Sequence, residues 1–304
     1  MNFKEITADD YPRLKPFFAN QKYPLCVYSL SSIICWRTEA YQPYGTIHKD
    51  SLIVYANFKS DPDKRYLLLP ISATREFDPE QLAELARKTG IFSFNFVPEN
   101  YLQTYGESRI QALFEIETQE KFYDYVFRTE DLAKLKGNHY AKKRNLIRQF
   151  ERNYPEDRNL VRIVPITAHT KRGCMDFLEE WCRERNCDKD PNDDLACEKQ
   201  ALTNALNDMD RLEMPGILLQ IDGKICAMAI SSGLTDTTGL LQFEKAFAGI
   251  KGLYQYFDNQ CARRLFPEYT YINKESDMGI PGLAKAKKSY HPAMMIKSYR
   301  LTLR

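Results

Sequence analysis

The stretch Thr238–Phe266, TGLLQFEKAFAGIKGLYQYFDNQCARRLF, decides how this chain is read. TGLLQFEKAF predicts a β-strand and LYQYFDNQCARRLF predicts an amphipathic helix. Phe247-Ala248-Gly249-Ile250-Lys251-Gly252 joins the two. Two glycines allow the backbone to approach a ligand closely, and the free amides of the following helix N-terminus favour an anion such as pyrophosphate. A strand-to-helix turn also uses glycine for shape alone. Gly249, Ile250, Lys251 and Gly252 are therefore candidates to hold a phosphate-bearing ligand, with a simple turn as the alternative.

Outward from the loop, GILLQI and KICAMAISSGL flank Asp222-Gly223 and predict a hairpin that leads into the 238–247 strand. Strand YTYIN, helix PGLAKAKKSY and a final strand MMIKSYRLTL follow. Upstream come a helix from Leu135, strand NLVRIVPIT and two helical stretches, KRGCMDFLEEWCRER and LACEKQALTNALNDMDRL. The first part of the chain reads in a similar order: helix TADDYPRLKPFFANQ, strand-like SSIICWRTE, YGTIHKD, SLIVYANF and YLLLPIS, helix FDPEQLAELARKTG and strand FSFNFVPE. In that last helix Asp78 is the expected cap, Pro79 opens the first turn and Gly90 stops it.

Each part is thus helix, antiparallel strands, helix, strand. The expectation is an α+β chain built as a tandem duplication, with units at 1–130 and 131–304 and two mainly antiparallel mixed sheets flanked by helices. Hairpin, strand, glycine loop, helix, strand resembles the GCN5-related N-acetyltransferase (GNAT) fold. That resemblance implies acyl-coenzyme A at the glycine loop.

Composition narrows the partners. The 304 residues include 43 Lys+Arg and 41 Asp+Glu, a formal charge of +2, so affinity for nucleic acid or an anionic surface must come from a local patch. The N-terminus MNFKEITADD lacks an apolar leader, and no run reaches the roughly 20 apolar residues that cross a bilayer, which predicts a cytoplasmic protein. Eight cysteines, with no C-x-x-C pair, predict reduced thiols.

LKGNHYAKKRNLIRQF, Leu135–Phe150, supplies such a patch. Winding it at about 100° per residue puts Tyr140, Leu146, Ile147, Phe150 and Tyr154 on one face and Arg144, Arg148 and Arg152 on the other. Lys143 falls on the apolar face. Either its ammonium snorkels to the rim, or it is a cation aimed into a pocket for an anionic ligand.

Three pieces, YDYVFRTEDLAKLKGNHYAKKRNLIRQF, GLLQFEKAFAGIKGLYQYFDNQ and YINKESDMGIPGLAKAKKSYHP, resemble a bacterial family of unknown function related to the C-terminal catalytic domain of phosphatidylglycerol lysyltransferases. The resemblance implies two fused GNAT-like domains, similar to the Fem transferases, which move an aminoacyl group from transfer RNA to an amine or hydroxyl. The family's K-K-R-N element matches Lys142, Lys143, Arg144 and Asn145, its E-K-A element Glu244, Lys245 and Ala246, and its acidic-Gly and K-x-S-Y elements Asp277, Gly279, Lys287, Ser289 and Tyr290. The resemblance therefore implies an acyl- or aminoacyltransferase whose donor is acyl-coenzyme A or aminoacyl-tRNA and whose acceptor is a small molecule or lipid headgroup. The flippase that precedes this domain in the lysyltransferases has no counterpart here, which weighs against a lipid.

Acyl transfer to an amine needs that amine deprotonated, so a carboxylate beside the acyl carbon is the natural base. Glu244, just before the glycine loop, is the candidate, with an exposed residue paired to Lys245 as the alternative. Tyr290 is the candidate acid for the leaving group, or a packing residue. Lys285 and Lys287 are candidate phosphate partners, or solvated helix lysines. Lys143, Arg144 and Asn145, with Asn273, Glu275 and Asp277 of NKESDMG, are candidates to hold the acceptor, and the last three are equally suited to a turn. No metal is expected: Asp188, Asp190 and Asn192 mimic a calcium loop, but Asp193 and Lys199 break it. A ligand-binding module on a degenerate GNAT scaffold, without turnover, is the rival expectation.

Overall fold

The computed structural model describes residues 1–304 except 39, 60–63, 156–159 and 186–193, and the side chains of 194–196. The calcium-like residues Asp188, Asp190, Asn192 and Asp193 lie outside the described residues.

The strands before residue 120 are β1 (Lys4–Glu5), β2 (Tyr41–His48), β3 (Ser51–Phe58), β4 (Tyr66–Leu67), β5 (Ser93–Pro98) and β6 (Phe114–Thr118). After them come β7 (Asp124–Arg128), β8 (Val161–Pro165), β9 (Gly216–Ile221), β10 (Lys224–Thr235), β11 (Thr238–Ala246), β12 (Tyr271–Asn273), β13 (Met294–Ile296) and β14 (Ser298–Leu303). They form two seven-stranded sheets, ordered β1-β2-β3-β4-β5-β14-β6 and β8-β9-β10-β11-β12-β7-β13. Position by position the two orders correspond. The parallel pair falls at the same place in each, β4–β5 and β11–β12, and every other pair is antiparallel.

The chain is thus an α+β tandem duplication with one exchange. The sixth position of each sheet holds a strand from the other half, β14 in the first sheet and β7 in the second. A cut between residues 130 and 131 therefore does not separate the sheets. The alternation of a strand specifies which face is buried and leaves its partner unnamed, so the exchange is invisible in the sequence.

The helices are α1 (Tyr11–Leu14), α2 (Leu30–Cys35), α3 (Pro79–Thr89), α4 (Glu99–Tyr105), α5 (Glu107–Gln111), α6 (Thr129–Lys134), α7 (Ala141–Asn153), α8 (Lys171–Arg185), α9 (Asp194–Asp208), α10 (Leu253–Leu265) and α11 (Pro281–Lys288). α3 and α10 are the crossovers that make the two parallel pairs possible. The capping of α3 is as expected: the Asp78 carboxylate accepts from Gln81 N at 2.8 Å, and Gly90 ends the helix at φ 70°.

Two strand expectations fail. SSIICWRTE is not a strand: Leu30–Cys35 is helix α2, buried at every residue. Its setting overrides the β-branched run, because α2 lies against both halves. Ser31 Oγ donates to Leu212 O at 3.2 Å and Ser32 Oγ accepts from Gln242 at 2.9 Å, while the preceding Ser29 bonds Ser232 at 3.2 Å. Hydroxyls satisfied in this way can be buried without penalty. MMIKSYRLTL is not one strand either, since it changes sheets at Lys297. A single buried cluster of apolar side chains runs through both halves.

Candidate functional site

β11 and β12 are paired over three registers, Thr238↔Tyr271, Gly239↔Ile272 and Leu240↔Asn273. β12 then stops while β11 continues to Ala246, and charged side chains fill the opening. Lys274 Nζ donates to Glu244 Oε2 at 3.1 Å and also pairs with Asp258 of α10. The Glu244 side chain is 12% exposed and that of Asp258 5%. Glu244 Oε1 and Asp258 Oδ2 have no other partner.

That arrangement sets the acidity of the cluster. Burial pushes the Glu244 carboxyl up to about 7, against the pull of Lys274 and with the push of Asp258. The Lys274 ammonium is raised above its ordinary value, the two carboxylates more than offsetting burial. Burial raises the Tyr290 hydroxyl well above the usual range, and the nearby charges of Asp258 and Glu244 add to the rise.

Lys143 completes the cluster from the rim. Its Nζ donates to Ser289 Oγ at 2.7 Å and lies 3.6 Å from the centre of the Tyr290 ring. Burial lowers its pKa to about 8. Its ammonium ends at the rim of the cluster, against the end of α11. Tyr290 is fixed from behind, where Tyr140 donates to its carbonyl at 2.9 Å. The other basic residues separate. Arg144 is not a solvated arginine: it caps the preceding turn, donating to Leu135 O at 2.5 Å and Gly137 O at 2.6 Å. Asn145 and Arg148 are exposed.

Glu244 is not paired with Lys245, which bonds Glu198 at 2.6 Å beneath the Trp181 ring. Neighbours on a strand face opposite ways, so Glu244 and Lys245 have separate partners.

The glycine loop has two ends of different character. The amides of Gly249, Lys251 and Gly252 have no acceptor among the described residues, whereas Ile250 N donates to Phe247 O at 3.4 Å. Space around Gly249 is open. Gly252, at φ 82°, is pressed against α7: a methyl group there would run into the Leu146 carbonyl oxygen and sit 3.1 Å from Phe150 Cβ. Its conformational freedom serves helix packing.

In NKESDMG, Asn273 and Asp277 are taken up by the turn. Asn273 accepts from Glu275 N at 2.7 Å and donates to Asp124 at 2.8 Å; Asp277 accepts from Gly279 N at 2.9 Å and from Tyr125 OH at 2.6 Å. Lys287 reaches back to the same turn, donating to the carbonyls of Lys274, Glu275 and Ser276 at 2.6, 3.2 and 2.6 Å. Lys285 is exposed. Sequence reasoning missed Lys274 and Asp258. The signal for Asp258 was present: it lies beside Phe257 and Cys261 on the apolar face of α10, the same anomaly that singled out Lys143.

The family model for phosphatidylglycerol lysyltransferase, C-terminal, matches residues 22–302. The chain belongs to that family. No curated protein matches it. A conserved protein of unknown function from Bacteroides thetaiotaomicron VPI-5482 is 29% identical, with all of both chains covered and a TM-score of 0.88. The C-terminal domain of a putative lysylphosphatidylglycerol synthetase from Agrobacterium fabrum is 13% identical, with 97% of this chain and 91% of that one covered and a TM-score of 0.66. At that identity the likeness is one of fold. This lysyltransferase-family chain therefore has an acyltransferase-like fold. Among the described residues no helix is long and apolar enough to cross a membrane, and no group of three or more His, Cys, Asp and Glu is placed to hold a metal.

Proposed function

We propose that the chain is an acyl- or aminoacyltransferase working at the opening between β11 and β12. The observation that carries this reading is the geometry of Glu244, a buried carboxyl beside Lys274 and Asp258 where the parallel strands part, and burial raises it to about 7. A general base works best with a pKa near the working pH. In this scheme Glu244 takes a proton from the acceptor amine or hydroxyl as its nitrogen or oxygen bonds to the acyl carbon. The bond to the donor's sulfur or ribose oxygen then breaks, and the leaving atom takes the Tyr290 proton. Lys143 compensates the charge that develops beside that ring.

The donor, acyl-coenzyme A or aminoacyl-tRNA, would place its phosphates on the open amides of Gly249, Lys251 and Gly252. Family membership supports a small molecule or lipid headgroup as acceptor. Both donors are cytoplasmic compounds, which assigns the reaction to the cytoplasm. If transfer RNA is the donor, the exposed Arg148 and Arg152 are the residues to meet its backbone, and affinity should fall steeply with salt.

A rival reading, a binding module without turnover, is favoured by the small exposure of Glu244 and by the packing of α7 on Gly252. The test is a thermal-shift screen against acyl-coenzyme A species and charged and uncharged transfer RNA, followed by turnover with each stabilising donor. Glu244→Gln should lower turnover by about 10²–10⁴-fold in protein that still melts cooperatively, and the wild-type rate should climb to a plateau above pH 7. Stabilisation without turnover selects the binding module; no stabilisation by either donor class removes both readings.

A further inference from the structure

A cavity of about 300 Å3 is walled by aromatic rings of the first half: Trp36, Tyr41, Phe58, Tyr66, Phe96 and Phe122. The rings touch in sequence around it, with centroid separations of 5.5 Å for Tyr41–Phe58, 5.5 Å for Tyr66–Phe96 and 5.2 Å for Phe96–Phe122. The second half contributes the turn that carries Glu275, Ser276 and Met278, and Asp124 on β7 lies beside it. Glu244, Asp258, Lys274 and Tyr290 do not line this space, so it is separate from the cluster assigned to transfer.

Two observations mark the cavity as a built site. Of the ten described non-glycine residues with left-handed φ, three line it: Phe96 at 57°, Glu275 at 59° and Met278 at 54°. Backbone held in that region by side chains with a Cβ tends to gather where a ligand is gripped. Second, the Glu275 carboxyl has no hydrogen-bond or ion-pair partner among the described residues. Lys287, the nearest cation, gives its donors to backbone carbonyls, and Asp124 is satisfied by Asn273 and by Cys26 N at 2.6 Å. Around Glu275 stand the acids Asp124 on β7 and Glu198 on α9 and the lysines Lys287 on α11 and Lys245 on β11, and Lys245 is already paired with Glu198.

A wholly apolar ligand would leave the carboxyl unpaired, and an anion would be repelled by it. An ammonium group on an apolar body satisfies the acid and gains from the electron-rich ring faces. We infer that this cavity binds an organic ammonium compound, its cation on Glu275 and its apolar body among the rings. The inference goes beyond the transfer reading and does not need it. In the absence of such a ligand, burial pushes the Glu275 carboxyl up to about 8, Lys287 opposing and Asp124 assisting; ligand uptake at neutral pH should therefore expel a proton.

Isothermal titration of the full chain with three probes of one shape tests this: phenethylammonium, 2-phenylethanol and 3-phenylpropionate. Phenethylammonium should bind about tenfold more tightly than the alcohol, the acid should not bind, and the ammonium affinity should increase as pH rises toward 8. Glu275→Gln should cost the ammonium about tenfold and leave the alcohol unchanged. Phe122→Leu, which keeps the cavity apolar, is the second variant and should weaken the ammonium more than the alcohol. Equal affinity for ammonium and alcohol, equal losses in either variant, or no binding by any probe to the wild-type chain would each overturn the assignment. Because Glu244 is untouched, this failure is distinct from a loss of turnover.

Discussion

The two parallel strand pairs occupy the same place in their sheets and enclose opposite chemistry. β4 and β5 meet at a single register, Leu67↔Phe94, and the rings of Tyr66 and Phe96 beside it face the aromatic cavity. β11 and β12 meet at three, and the space beyond them holds two carboxylates and a lysine. The crossover helices differ in the same sense. α3 begins with its own carboxylate, Asp78, across its N-terminal amides, whereas α10 begins at Gly252 with no side-chain cap. One backbone plan therefore yields a ring-walled, self-capped half and a half with a buried charge cluster whose loop amides stay open. The duplication supplies the frame, and the side chains at each strand opening decide what the frame holds.

The comparison breaks most severely at Lys274. Lys274→Met leaves Glu244 and Asp258 buried without their cation, and removing one partner of a buried ion pair costs about 3–5 kcal/mol. Urea denaturation should register that loss, and Lys143 is too far toward the rim to replace it. Next is Gly252→Ala, which combines a left-handed backbone with a collision against the Leu146 carbonyl and should cost about 2–4 kcal/mol. Gly249→Ala, in open space and without that φ, should stay within about 0.5 kcal/mol. A similar cost at both glycines would show that α7 does not press on the loop. In the other half, Asp78→Ala should remove about 1 kcal/mol through the lost cap of α3.

The shallowest signal is a pH slope. Glu244 and Glu275 have folded-state values raised to about 7 and about 8 from an ordinary 4.5. Between those limits the folded chain binds protons that the unfolded chain has released. Their stabilising contribution is therefore complete below pH 4.5 and lost as pH rises through 7 and 8. Stability measured by denaturant at pH 5 to 8 should fall, and Glu275→Gln should flatten the upper part of that fall.

Much of the second half was legible in the sequence. The Asp222-Gly223 hairpin and the β11–loop–α10–β12 run follow from local pattern, because strand alternation, turn residues and helical winding are local properties. In the first half β2, β3, β4 and β5 were legible for the same reason, whereas β1, β6 and β7 were not named and α2, whose identity depends on being covered from both sides, was read as a strand. Glu244 was legible as a candidate and its partners were not. Lys274 and Asp258 converge on it from a strand end and a helix brought together only by the parallel crossover. The aromatic cavity was harder still, since Trp36 and Phe122 become neighbours of Glu275 only once the two halves have folded against each other.

The exchange of β7 and β14 bears on the way the molecule is made. β5 has no neighbour on its open side until residues 298–303 have been synthesised, long after the rest of the first sheet has left the ribosome. During that interval the exposed edge, bearing Phe94 and Val97, is available to any other extended chain. Newly translated molecules should therefore need a holding chaperone, or crowd into swapped pairs, to a degree that a version ending before Ser298 would make permanent.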